Sequence, residues 1–138
     1  MRCSTPAKPV VRVAAALADG NRVRILRAVS GGELCVCELC DALGLTQSTL
    51  STHLRVLRDA GLTASRKQGK WSYHRLTPLG CTVTEAFFGC FSAVLDSDAR
   101  LRRDRARLER RSAVREADLC CEGPDRGASG PRIRKGGS

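Results

Sequence analysis

No stretch of this 138-residue chain approaches the roughly 18 consecutive uncharged residues of a membrane span. Its opening residues, Met1-Arg2-Cys3-Ser4-Thr5-Pro6-Ala7-Lys8-Pro9, hold no apolar run of signal-peptide length. Neither insertion nor export is indicated, so the expected compartment is the cytoplasm and no membrane partner is expected. Histidine is scarce too: His53 and His74 alone give little from which to build a histidine-rich zinc or nickel site. No glycine-rich phosphate loop, paired carboxylates or neighbouring histidine accompany the cysteines. That weighs against an enzyme such as a thiol oxidoreductase working through Cys35, Cys37 or Cys120, because thiol chemistry needs a base or a lowered thiol pKa. No internal repeat is present.

What is present is basic charge and sulfur. The formal charge of +10 is spread along the chain, with twelve Lys/Arg against six Asp/Glu in residues 1–95 and twelve against eight in residues 96–138. A basic unit of this size points to a polyanion, DNA or RNA before membrane, because neutralising phosphates supplies most sequence-independent affinity. The chain is long enough for one modest core and too short for two ordinary domains. Eight cysteines in a reducing compartment are poor disulfide candidates and better candidates for metal ligands, redox groups or small buried hydrophobes.

The pattern along the chain is mainly α with a small β-hairpin. Small apolar residues from Val10 to Leu17 predict a first helix, and Asp19-Gly20-Asn21 separates it from a second carrying Val23, Leu26 and Val29. A short third helix is predicted from Val36 to Leu43, with Gly44 placed to end it. Thr46 or Ser48 caps a fourth, in which Leu50, Leu54 and Leu57 form one apolar stripe closed by Ala60-Gly61. Leu62 to Arg66 and Trp71 to Leu76 flank Lys67-Gln68-Gly69-Lys70 as a hairpin. The sum is a winged helix-turn-helix. Thr77-Pro78 opens a last helix bearing Val83, Phe87, Phe88, Phe91, Val94 and Leu95, more aromatic surface than one helix needs. That face, with the first helix, is expected to form a homodimer, with Cys81 and Cys90 as buried packing residues within it.

The expected organisation is an N-terminal arm (1–9), a winged helix-turn-helix and dimerisation domain (10–95), a basic helical extension with Cys120-Cys121 (96–121), continuing the last helix into solvent, and a disordered tail (122–138).

With Leu50 set at zero and about 100° per residue, Ser48, Thr52 and Arg55 fall on the side opposite the leucines, flanked by Thr49 and Ser51. Gln47 joins them at the helix start, while His53, at about 300°, is equally a DNA contact or a partly buried structural histidine. Hydroxyls, an amide and an arginine on one exposed face suit base edges and phosphates in a major groove. The hairpin tip adds Arg66, Lys67 and Lys70 for phosphate or minor-groove contact. The candidate nucleic-acid residues are therefore Gln47, Ser48, Thr49, Ser51, Thr52, His53, Arg55, Arg66, Lys67 and Lys70.

Glu33-Leu34-Cys35-Val36-Cys37-Glu38-Leu39-Cys40 gathers three thiols at the start of the short helix. On a regular helix Cys37 and Cys40 are about 60° apart, but Cys35 is about 200° from Cys37. One ion can therefore be held by all three only if the first turn unwinds or a ligand comes from elsewhere. Since this helix supports the groove-reading one, ligation would strain that support and cost DNA affinity. Soft thiolates without histidine nearby select thiophilic species over hard ions.

The same box, with Asp41-Ala42-Leu43 and Ser51-Thr52-His53-Leu54-Arg55-Val56-Leu57-Arg58-Asp59-Ala60-Gly61-Leu62 after it, closely resembles the ArsR family of arsenic-responsive repressors. Arg66-Lys67-Gln68-Gly69-Lys70-Trp71 resembles the family's wing, and the likeness covers residues 10–95. It implies a homodimer on double-stranded operator DNA, needing no cofactor, that dissociates when As(III) or Sb(III) binds. By position it implies Cys35 and Cys37 as principal ligands and Cys40 as the third. Thr49 and Thr52 depart from the basic residues that arsenic repressors with this box often carry. Cadmium and lead sensors of the family pair a similar Cys-x-Cys with N-terminal cysteines, so Cys3 makes Cd(II) or Pb(II) the alternative inducer, while Cys40 favours arsenite. Cys120-Cys121 resembles the adjacent pair by which some members sense trivalent or methylated arsenicals, and is a possible second site. Outside the family, a zinc-stabilised interaction module is the remaining alternative, with metal bound from the outset and unfolding under chelation.

Overall fold

A computed structural model describes residues 8–116, so Cys3, Cys120, Cys121 and the expected disorder of residues 122–138 lie outside the described part. Among the described residues the first helix is α1 (Lys8–Leu17), which takes in two residues ahead of the apolar run. Asp19 then caps α2 (Gly20–Val29), its carboxylate accepting from the backbone N–H of Asn21 at 2.8 Å and of Arg22 at 3.2 Å. The short helix α3 (Val36–Leu43) ends at Gly44, whose φ of 66° is the left-handed closure that glycine adopts most readily. Thr46 opens α4 (Gln47–Asp59) by accepting from the Thr49 N–H.

Leu50, Leu54 and Leu57 of α4 are buried, as the stripe requires, and meet Ile25, Leu26, Leu39, Leu43 and Leu62 in one core. The hairpin forms as expected from β2 (Thr63–Gln68) and β3 (Trp71–Leu76), paired antiparallel from Thr63↔Leu76 to Gln68↔Trp71. Gly69, φ 63°, sits in the intervening turn.

Three features depart from the sequence expectation. A two-residue strand, β1 (Leu34–Cys35), pairs with β3 in the register Leu34↔His74 and Cys35↔Tyr73, giving the order β1-β3-β2. The long terminal helix is not continuous: α5 (Pro78–Cys90) stops at Phe91, and α6 (Ser92–Ser97) and α7 (Ala99–Glu116) follow. Nor does residue 96 onward extend as a solvated helix. Asp98 restarts the chain by accepting from the N–H groups of Arg100 and Leu101, and α7 returns over α2 and α3. Leu101, Asp104, Leu108 and Arg111 recur at helical spacing along its inner side, all at least partly covered. At the centre of that stripe Arg24 clamps Asp104, Nε to Oδ2 at 2.7 Å and Nη2 to Oδ1 at 2.9 Å, and Nη2 also donates to the Leu43 carbonyl at 2.6 Å.

One buried group makes stability depend on pH. His74 is 5% exposed, and burial, helped by the charge of Arg58 and opposed by Glu33, pushes its imidazole below the ordinary value of 6.5. The folded chain therefore keeps the ring neutral where the unfolded chain protonates it. Stability should be full above about pH 6.5 and fall as the pH drops below that, until the folded-state value is reached. Urea midpoints measured from pH 7.5 to 5 should decline, and His74→Gln should flatten the decline. An unchanged profile in that variant would place the protons elsewhere.

Candidate functional site

Cys35 is not a helical residue. It is the N-cap of α3, in extended backbone at φ −87° and ψ 166°, and its amide donates to Glu38 Oε1 at 2.8 Å. Glu38, itself 1% exposed, thus closes the helix start from the N3 position. The turn of chain between strand and helix brings the Cys35 and Cys37 sulfurs to 2.8 Å of each other, which removes the roughly 200° conflict expected on a regular helix without unwinding anything. Cys35 is fully buried and Cys37 half-buried.

Cys40 does not join them. It packs against the apolar core, and burial first, then Asp41 and Cys37, pushes its thiol above the ordinary range. Among the described residues no three His, Cys, Asp or Glu side chains converge as a metal-holding group. Cys81 and Cys90, expected to be buried, are exposed on the single chain.

The sulfur pair has two mechanical connections. Cys37 lies on α3, whose Leu39 and Leu43 share the core with Leu50 and Leu54 of α4. Cys35 lies on β1, paired with Tyr73 of β3. Over the Tyr73 ring, at 4.7 Å, sits the Arg66 guanidinium, which donates to both Glu33 carboxylate oxygens at 2.7 and 2.9 Å. Glu33, the first residue of the box, is thereby tied to the hairpin strand β2. The strand and this ion pair escaped the sequence reading. Two residues cannot show a period, although Glu33 and Arg66 are opposite charges bracketing the paired strands.

On α4, Gln47, Ser48, Thr49, Ser51, Thr52 and Arg55 are all exposed, as the wheel placed them. Thr52 donates to the Ser48 carbonyl at 3.1 Å, and Thr49 accepts from the Thr46 hydroxyl at 3.0 Å. His53 is the exception: its side chain is 14% exposed and turned inward, Nδ1 lying 3.3 Å from Arg22 Nη1 and 3.8 Å from Asp19 Oδ1. Arg22 in turn donates to the carbonyls of Ala16 and Ala15 at the end of α1. On the hairpin Lys67 and Lys70 are exposed, whereas Arg66 is held along the strand by Glu33 and Gln68. Val10, Val11, Leu79, Phe91 and Val94 leave an apolar surface on α1, α5 and α6. No described helix is long and apolar enough to cross a membrane.

Residues 19–64 match the family model described as bacterial regulatory protein, arsR family. The chain is 52% identical over 63 residues to the arsenical resistance operon repressor of Escherichia coli K12, a match covering 45% of this chain and 54% of that protein. The matched stretch spans about half the length of such curated relatives. Among solved structures, HlyU of Vibrio cholerae N16961 superposes with a TM-score of 0.57 at 32% identity, over 61% of this chain and 92% of HlyU. A homodimeric winged helix-turn-helix DNA-binding domain of Mycobacterium bovis, a possible ArsR-family regulator, gives 0.59 at 25% identity over 71% and 97% of the two chains.

Proposed function

We propose, from the premise that this chain belongs to the arsR family of bacterial regulatory proteins, that it is a transcriptional repressor governed by a thiophilic ion. The ion-free homodimer holds double-stranded operator DNA and lets go when As(III) or Sb(III) bonds the sulfurs of Cys35 and Cys37. The observation that carries this is the pair of sulfurs 2.8 Å apart at the junction of β1 and α3. A species bonded to both joins a strand that holds the wing to a helix that supports α4. Either shift disturbs two half-sites that must stay in register one helical turn apart.

Gln47, Ser48, Thr49, Ser51, Thr52 and Arg55 are the groove-facing residues, and Lys67 and Lys70 meet the DNA backbone. Arg66 braces the wing and His53 braces α4 against α2. The exposed apolar residues of α1, α5 and α6 form the dimer face, supported by the homodimeric state of the Mycobacterium bovis domain. The chain acts as a regulator and not as an enzyme, in keeping with the regulator names of its relatives.

A mobility-shift titration on the DNA upstream of its own coding region tests this. The ion-free protein should bind, with affinity falling steeply as salt rises, and arsenite and antimonite should release it at lower concentrations than cadmium or lead. Release by cadmium and lead alone would make the chain a sensor of those ions. Persistence of the complex under all four would remove the sulfur pair from regulation.

A further inference from the structure

The two flanks of α7 use their arginines differently. With Asp104 at zero and about 100° per residue, Arg105, Glu109 and Arg102 stand at about 100°, 140° and 160°. The charges on that side are engaged: Arg105 donates to Glu109 at 3.3 Å and Arg102 to the Asp96 carbonyl at 3.1 Å. On the other side Arg107, Arg103 and Arg110 stand at about −60°, −100° and −120°, with no acidic residue between them. All three are exposed, and among the described residues none of them makes an ion pair. Arg103 and Arg107 are four apart, and Arg107 and Arg110 three apart, so their charges repel and work against the helix that carries them.

This unpaired flank borders the helix-turn-helix. A Cβ placed on Gly44 would lie 3.3 Å from Arg107 Nη1, so that guanidinium rests against the turn between α3 and α4. Gln47, the first residue of α4, is three positions further on, at most about 11 Å along the chain. Arg103 lies beside Gly20 and Val23 at the start of α2. Arg111, at about −20° on the same side, donates to Asp41 of α3 at 2.8 Å and so neutralises that carboxylate. Arg100, at about −40°, is already matched by the charge of Asp98. The Arg24 clamp on Asp104 and the Arg111 contact fix the helix in this orientation.

We infer that Arg103, Arg107 and Arg110 bind phosphates of the operator beside the groove that α4 enters, which makes α7 a second contact with the DNA, blind to sequence. This rests on α4 being the groove-reading helix, as proposed above. A major groove is about 12 Å wide with a phosphate row along each edge, so a guanidinium held this close to Gln47 lies beside one of those rows. From Arg103 to Arg110 is about 10.5 Å along the helix, the axial rise of about three phosphates of one strand. Arginine suits the contact because its planar fork bonds a phosphate through two N–H groups. Phosphates there also relieve the repulsion within the row.

The test compares the full ion-free chain with Arg103→Gln/Arg107→Gln/Arg110→Gln, reading affinity for operator and for an unrelated duplex by anisotropy over a range of salt. Glutamine is a good helix former, so the circular dichroism and urea midpoint of the variant should hold. The variant should bind both duplexes at least about tenfold more weakly at physiological salt, and its salt slope should be smaller by about 0.9 per phosphate lost, up to about five over two subunits. The ratio of operator to unrelated binding should stay the same, because phosphate contacts carry no sequence information. Arg103→Lys/Arg107→Lys/Arg110→Lys keeps the charge and should keep the wild-type slope. An unchanged slope in the glutamine variant would overturn the α7 contact alone and leave α4 as the reader. A wild-type chain that does not prefer operator to the unrelated duplex would overturn the reading of α4, and this inference with it.

Discussion

Replacing Cys35 and Cys37 together by serine leaves a folded chain that binds operator DNA as before and loses about a hundredfold of its response to arsenite, the upper range of typical coupling between two sites. The fold survives because serine suits both positions. Cys35 is an N-cap in extended backbone, a place where serine is among the preferred residues, and its amide bond to Glu38 does not involve the side chain. Cys37 lies in the first turn of α3, half-buried, where one oxygen for one sulfur changes little volume. What disappears is the only pair of sulfurs that meet among the described residues. Anisotropy titrations of labelled operator, with and without arsenite, measure both quantities. A variant that still releases at the wild-type arsenite concentration would take the sensor away from this turn.

Asp104→Ala should cost about 3–5 kcal/mol, the usual result of deleting one partner of a buried ion pair. Both side chains are largely covered, at 11% and 8% exposure, and the two-pronged contact leaves the guanidinium few alternatives once the carboxylate is gone. Arg24 would keep the Leu43 carbonyl and Asn21 Oδ1, neither of which carries a full charge. Urea unfolding followed by circular dichroism reads the loss. Arg24→Met/Asp104→Leu should recover much of it, because an apolar pair of similar volume often replaces a buried salt bridge at no cost. A single variant as stable as wild type would mean that α7 is not docked on α2 and α3 in solution.

The parts of this molecule that were legible in its sequence are those with a period or a terminator. The leucine stripe of α4, the Gly44 closure and the alternation around Gly69 each leave a local mark, and each is where the pattern put it. The misplaced parts depend on contacts between distant residues. β1 is two residues long and exists because β3 is there to pair with it. The inner side of α7 has a charge, Asp104, at its centre, so it looks solvated until Arg24, eighty positions earlier, is seen to neutralise it. The halt at Phe91 has no glycine or proline at that residue to announce it. For the site, residue type and spacing marked the cysteines, and only the extended backbone at Cys35 explains how two of them meet. His53, which the wheel left between a groove contact and a partly buried structural role, has its flank covered by Arg22 and Asp19, residues of a distant segment that no wheel displays.

Coupling between sulfur and DNA must be reciprocal, since each ligand alters the affinity for the other by the same factor. Arsenite affinity should therefore be measured on the free dimer and on the dimer saturated with operator, at one salt concentration. Binding should be weaker on the operator complex by the same factor as arsenite weakens operator binding, at least about tenfold. Equal arsenite affinity in the two states would mean that capture of the ion between β1 and α3 does not reach the DNA-facing surface.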